Sequence, residues 1–63
     1  MHPVGEIGEV RAKLSPSGKV FVHGEYWNAQ TQTGGQIDVG DKVQIVGYDG
    51  MNLKVKRLQE SAS

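Results

Sequence analysis

Ser17, His23 and Asp49 are the three residue types of an acyl-transfer triad: a hydroxyl to attack, an imidazole to take its proton, a carboxylate to orient the ring. Their context argues against that chemistry. Ser17 lies in Ser15-Pro16-Ser17-Gly18, and no Gly-x-Ser-x-Gly elbow surrounds it. Those four residues are what a turn selects: proline presets φ, and Gly18 tolerates a positive φ. No catalytic residue is therefore expected. Metal chemistry fares no better. There are two histidines, His2 and His23, far apart, and no cysteine. Asp38-Val39-Gly40-Asp41 lacks the ligand density of a calcium loop. No metal, cofactor or small-molecule substrate is expected.

The elements that would carry these residues are strands. No 11-residue window keeps a 3.6-residue period, whereas several shorter ones keep a period of two. Strand one is read over Glu6–Leu14, with Val10, Ala12 and Leu14 on one face and Glu9, Arg11 and Lys13 on the other. Strand two is Lys19–His23, followed by a bulge or tight bend at Gly24-Glu25. Strand three is Tyr26–Gln32 and strand four Lys42–Tyr48. Asp49-Gly50 signals a hairpin, with a loop extending toward Met51 and Asn52. Strand five is Leu53–Leu58, with Leu53 and Val55 inward. Three glycines in the nine residues 33–41 count against a helix there. Residues 1–5 read as a flexible lead, 6–58 as one folded unit, and 59–63 as a disordered tail. The longest apolar run is Val20-Phe21-Val22, so these 63 residues contain no transmembrane helix or signal peptide.

Sixty-three residues without a disulfide need an efficient closed core. Five strands at 8–12-residue spacing give an all-β domain. The expected fold is a five-stranded OB-type Greek-key barrel, with an SH3-like barrel as the alternative. The phase of strands two and three then matters. If Val20, Val22 and Trp27 fill the barrel, Phe21 and Tyr26 lie outside. With Tyr48 at the end of strand four, they are the candidate partner-binding residues. Against this, single exposed apolar side chains are ordinary, and the segment from Pro3 to Ile7 is long enough to cover Phe21.

An OB face carrying aromatics can also stack single-stranded nucleic acid, and Arg11, Lys13 and Lys19 lie close by in sequence. Seven basic and seven acidic side chains give zero net charge, however. Phosphate neutralisation supplies most of such affinity. Glu9 and Glu25 dilute the basic side, and the loops after strands one and four are too short to close over a strand. A single-stranded nucleic-acid binder is kept as the alternative, and the favoured class is a non-catalytic protein-interaction or assembly module.

Several sequence elements together resemble a known family. They are Gly8-Glu9-Val10; Leu14-Ser15-Pro16-Ser17-Gly18-Lys19-Val20; Gly24 with Trp27-Asn28-Ala29; Ile37 with Gly40-Asp41-Lys42-Val43; and Gly50 with Leu53-Lys54-Val55. In order and spacing they resemble the soluble C-terminal domain of NfeD-type proteins, over roughly residues 5–57. The resemblance implies an OB barrel and a parent protein anchored by membrane helices upstream. It also implies a stomatin- or prohibitin-like membrane scaffold partner. Some long members carry a separate ClpP-type serine protease domain. None of it is in these residues, so its activity is not transferred. The resemblance assigns no contact residue.

Overall fold

The period of two becomes five strands. In the computed structural model, which describes residues 3–32 and 34–58, these are β1 (Ile7–Ala12), β2 (Ser17–Val22), β3 (Glu25–Thr31), β4 (Lys42–Asp49) and β5 (Asn52–Arg57). The expected tail over 59–63, and residues 1 and 2 of the expected lead, lie outside the described residues. The strands close in the order β1-β2-β3-β5-β4. Neighbours are antiparallel except β3 and β5, which run parallel, Asn28 facing Asn52 and Thr31 facing Val55. This is the expected OB arrangement, and the SH3-like alternative falls away. No helix occurs among the described residues.

Aliphatic residues of moderate size fill the barrel: Val10, Leu14, Val20, Val22, Ala29, Ile37, Val43, Ile45, Leu53 and Val55. Trp27 is half-buried and packs against them. Alternation put most of these inward, because residues i and i+2 share a face of a strand. Two bulges break the count. Between Val10 and Ala12 the pairing of β1 with β2 shifts register. Ala12, expected inward, is therefore exposed. Leu14, beyond the end of β1, returns to the core. A second shift, between Ile45 and Gly47, leaves Tyr48 opposite Leu53. A bulge inserts an unpaired residue, so every later side chain changes phase.

Three local expectations are corrected. Gly18 does not take a positive φ; it belongs to β2, where it faces Ala29. A Cβ there would run into the carbonyl oxygens of Ala12 and Lys13, so close approach of the backbone requires the glycine. His23 is not a strand residue, and Glu25 does not belong to the bend. His23 (φ 55°) and Gly24 (φ 77°) are the central pair of a two-residue hairpin whose flanking residues, Val22 and Glu25, face each other. Positive φ at both centres is the type I′ pattern, whose twist matches that of the strands it joins. Gly24→Ala is expected to cost about 1–2 kcal/mol, because a Cβ is strained in the left-handed region; urea unfolding followed by Trp27 fluorescence checks this. A cost near zero would mean the turn readily changes type.

The β3–β4 connection is irregular but anchored. Leu14 and Ile37 exchange both backbone hydrogen bonds, each at 3.0 Å. Buried Thr31 donates its hydroxyl to the Gly35 carbonyl oxygen at 3.1 Å. Arg57 donates to Asp41 Oδ2 at 3.1 Å and to the Gln36 carbonyl oxygen at 3.2 Å. Ile37 therefore acts as a plug at the end of the barrel where β3 finishes and β4 begins.

Candidate interaction surface

β2 and β3 place Phe21 directly opposite Tyr26 on the outer wall. Because Val20 and Val22 point inward, the intervening Phe21 must point out. The two rings meet edge to face, 4.9 Å between centroids at 64°. Aromatic rings prefer this geometry, because a positive edge meets a negative face. Arg11, on β1, lays its guanidinium over Phe21 at 5.0 Å from the ring centroid. Glu9, facing Phe21 across the β1–β2 ladder, approaches Arg11 at 3.8 Å. Phe21 is thus half-buried among neighbours, whereas Tyr26 is 60% exposed. Phe21 also lines a shallow open groove of about 460 Å³ with Ile7, Glu9, His23, Lys42 and Leu58. Pro3 and Val4 are not among the groove's lining residues.

The structure brings together two of the three candidate residues. Tyr48 is 53% exposed but lies on β4, which is separated from β3 by β5. It occupies the rim near the β4–β5 hairpin, whose loop is Gly50-Met51 with positive φ at Gly50.

The same geometry separates the groups a triad would need. Ser17 opens β2, and His23 follows its other end, so about 20 Å of extended strand lies between them. Asp49 shares the end with His23, but His23 Nε2 lies 3.1 Å from Glu6 Oε1 instead. Among the described residues, no group of three His, Asp or Glu side chains is arranged to hold a metal ion. Of the basic residues near the aromatics, Arg11 is stacked on Phe21 and Lys19 donates to Asn28 Oδ1 at 2.5 Å. The β1–β2 connection is four residues and the β4–β5 loop two, so neither forms a long flexible arm.

What this wall offers is a pair of outward aromatics on the sheet, and no three-residue metal-holding group lies among the described residues. Residues 4–57 match the family described as the NfeD-like C-terminal, partner-binding domain. The chain belongs to the NfeD family. The NfeD barrel described here superposes on the C-terminal domain of stomatin operon partner protein 1510-C from Pyrococcus horikoshii. The TM-score is 0.88 at 40% identity, covering 90% of this chain and 89% of that one. It also superposes on the soluble domain of a Corynebacterium glutamicum membrane protein implicated in regulation of membrane protease activity. There the TM-score is 0.78 at 26% identity, covering 87% and 92% of the two chains. Among curated proteins, a membrane-bound protease of Pyrococcus horikoshii is 43% identical over 54 residues. That match takes in 86% of this chain and 12% of the protease, so the chain spans a small fraction of that relative's length. Among the described residues no helix is long and apolar enough to cross a membrane.

Proposed function

We propose that this NfeD barrel is a non-catalytic docking module, carried by a membrane-anchored parent, that binds a stomatin- or prohibitin-like scaffold protein. Phe21 and Tyr26 form the centre of the contact, with Tyr48 at its margin. The observation that carries the reading is the outward-facing edge-to-face pair, with Tyr26 exposed, in a domain whose family is described as partner-binding. Exposed aromatics on a rigid sheet supply contact area at little cost in side-chain entropy. The relatives' names, a stomatin operon partner and two membrane proteins, support the partner class and the anchored parent. A protease activity in such a parent would lie outside this barrel.

The test is an amide-shift titration of the labelled chain with the soluble region of a stomatin-like protein, with a single-stranded oligonucleotide as control. Shifts are expected around Phe21 and Tyr26 with the protein alone. Phe21→Ser with Tyr26→Ser is expected to weaken binding by about 2 kcal/mol or more, roughly thirtyfold. Thermal stability should fall by only about 1–2 kcal/mol, the pair being partly exposed. Shifts with the oligonucleotide alone would make the barrel a nucleic-acid binder instead.

A further inference from the structure

The zero net charge conceals a sorting of charge and apolar surface along the barrel. One end is where β1 begins and both two-residue hairpins turn. Five of the six large apolar residues left exposed among the described residues are there: Val4 before β1, Ile7 opening it, Tyr26 near the start of β3, Tyr48 near the end of β4, and Met51 in the β4–β5 loop. The sixth, Val39, lies in the β3–β4 connection at the other end. Met51 is 77% exposed, so the core does not claim it. Exposed apolar side chains scattered singly need no explanation, but collected at one end they mark a contact.

Charge divides along the same axis. Glu6, Glu25 and Asp49 surround this end, all exposed. No lysine or arginine lies in either hairpin loop or next to one in sequence; Lys42 reaches the groove that also holds Ile7 and His23. Arg11, Lys13, Lys19, Lys42, Lys54, Lys56 and Arg57 occupy the strand bodies and the opposite end. An apolar rim with a carboxylate border repels an anionic bilayer surface, which attracts lysine and arginine. It complements a polypeptide that presents apolar side chains flanked by positive charge.

We propose that the hairpin end of the barrel docks a basic amphipathic segment, its apolar side chains on Ile7, Tyr26, Tyr48 and Met51 and its lysines or arginines on Glu6, Glu25 and Asp49. The inference rests on the docking-module reading and specifies the chemistry of the partner's bound segment. Tyr26 belongs to both surfaces, so the aromatic wall and the hairpin end form one continuous face. Opposite charge at the border speeds encounter and rejects acidic competitors, while the apolar centre supplies the affinity.

The labelled 63-residue chain is titrated with a synthetic leucine–lysine amphipathic peptide of about 18 residues and with its counterpart carrying glutamate for lysine. The expected result is shifts at Ile7, His23–Tyr26 and Tyr48–Asn52 with the lysine peptide, and at least roughly tenfold weaker binding of the glutamate peptide. Met51→Ser with Tyr48→Ser should weaken the lysine peptide while stability falls by no more than about 1–2 kcal/mol, both residues being partly exposed. Glu25→Lys should narrow the preference between the two peptides. Equal response to both peptides, or shifts confined to other surfaces, overturns the proposal. So does binding to phosphatidylcholine vesicles without peptide binding, which would make this a lipid-facing end. Shifts that depend on the chain's own concentration would replace the segment by a second copy. If a stomatin-like protein shifts the Phe21 wall but leaves the hairpin end still, this inference fails and the docking function stands. If that protein shifts nothing while the lysine peptide binds the end, the partner class fails and the surface stands.

Discussion

Alanine at Gly18 is expected to lower the thermal midpoint by about 12–24 °C, corresponding to about 3 kcal/mol in a domain of this size. The cause is one methyl group against backbone. β2 passes so close to the β1–β2 connection that a Cβ at Gly18 would collide with the carbonyl oxygens of Ala12 and Lys13. A flexible side chain could turn aside, but these oxygens can move only if the chain moves. The bulge of β1 lies beside Ala12, and Leu14, two residues on, seals the barrel against Ile37. The collision is therefore transmitted to the core. Gly47→Ala is the control, because its Cβ would meet nothing within 4 Å and its φ is ordinary. It should change stability by less than about 1 kcal/mol. Equal midpoints for the two variants would show that the close approach relaxes freely.

Leu14→Ala is expected to cost about 3 kcal/mol, within the range for emptying a fully buried leucine site. A domain of this length has only about 3–9 kcal/mol of stability in all, so the variant would be largely unfolded at the lower figure. Leu14 does two things at once. Its side chain fills the core, and its backbone pairs with Ile37, tying the β3–β4 connection to the end of β1. Hydrogen exchange at the Ile37 amide, which donates to the Leu14 carbonyl oxygen, should accelerate more than exchange at Val20 or Val43. Ala12→Ser, two residues earlier but exposed, should be nearly neutral. If Ala12→Ser costs as much as Leu14→Ala, the β1 bulge is misplaced.

That contrast marks how far the sequence could be read. Alternation placed Val20, Val22, Leu53 and Val55 inward, and the same phase turned Phe21 and Tyr26 outward as a pair. Those positions follow from unbroken strands and correct pairing alone. Ala12 was misread because the bulge before it depends on how β1 pairs with β2. Tyr48 was legible as a candidate at the end of strand four, but its separation from Tyr26 follows from β5 inserting between β3 and β4. Ile37 as core plug and Thr31 as a buried hydroxyl were missed. Both are fixed by partners outside their own strand pattern, Leu14 across the barrel and the Gly35 carbonyl in a loop. The gathering of exposed apolar side chains at the hairpin end was invisible for the same reason: a composition has no axis until topology supplies one.

The closed strand order has a consequence for how such a domain can change allegiance. With β4 joined to β1 and β3 to β5, every strand of the described residues has two neighbours, and only the ends of β3 and β4 extend beyond their pairing with β5 and β1. Strand addition, which reads any extended peptide through its backbone, therefore has only those short strand ends to work with. Side chains offer most of the recognition surface, and the exposed ones here are largely distinct from those that fill the core. Tyr26, Tyr48, Met51 and their acidic neighbours can drift while Val20, Ile45 and Leu53 stay fixed. A lineage can thus exchange one binding preference for another without passing through an unfolded intermediate sequence.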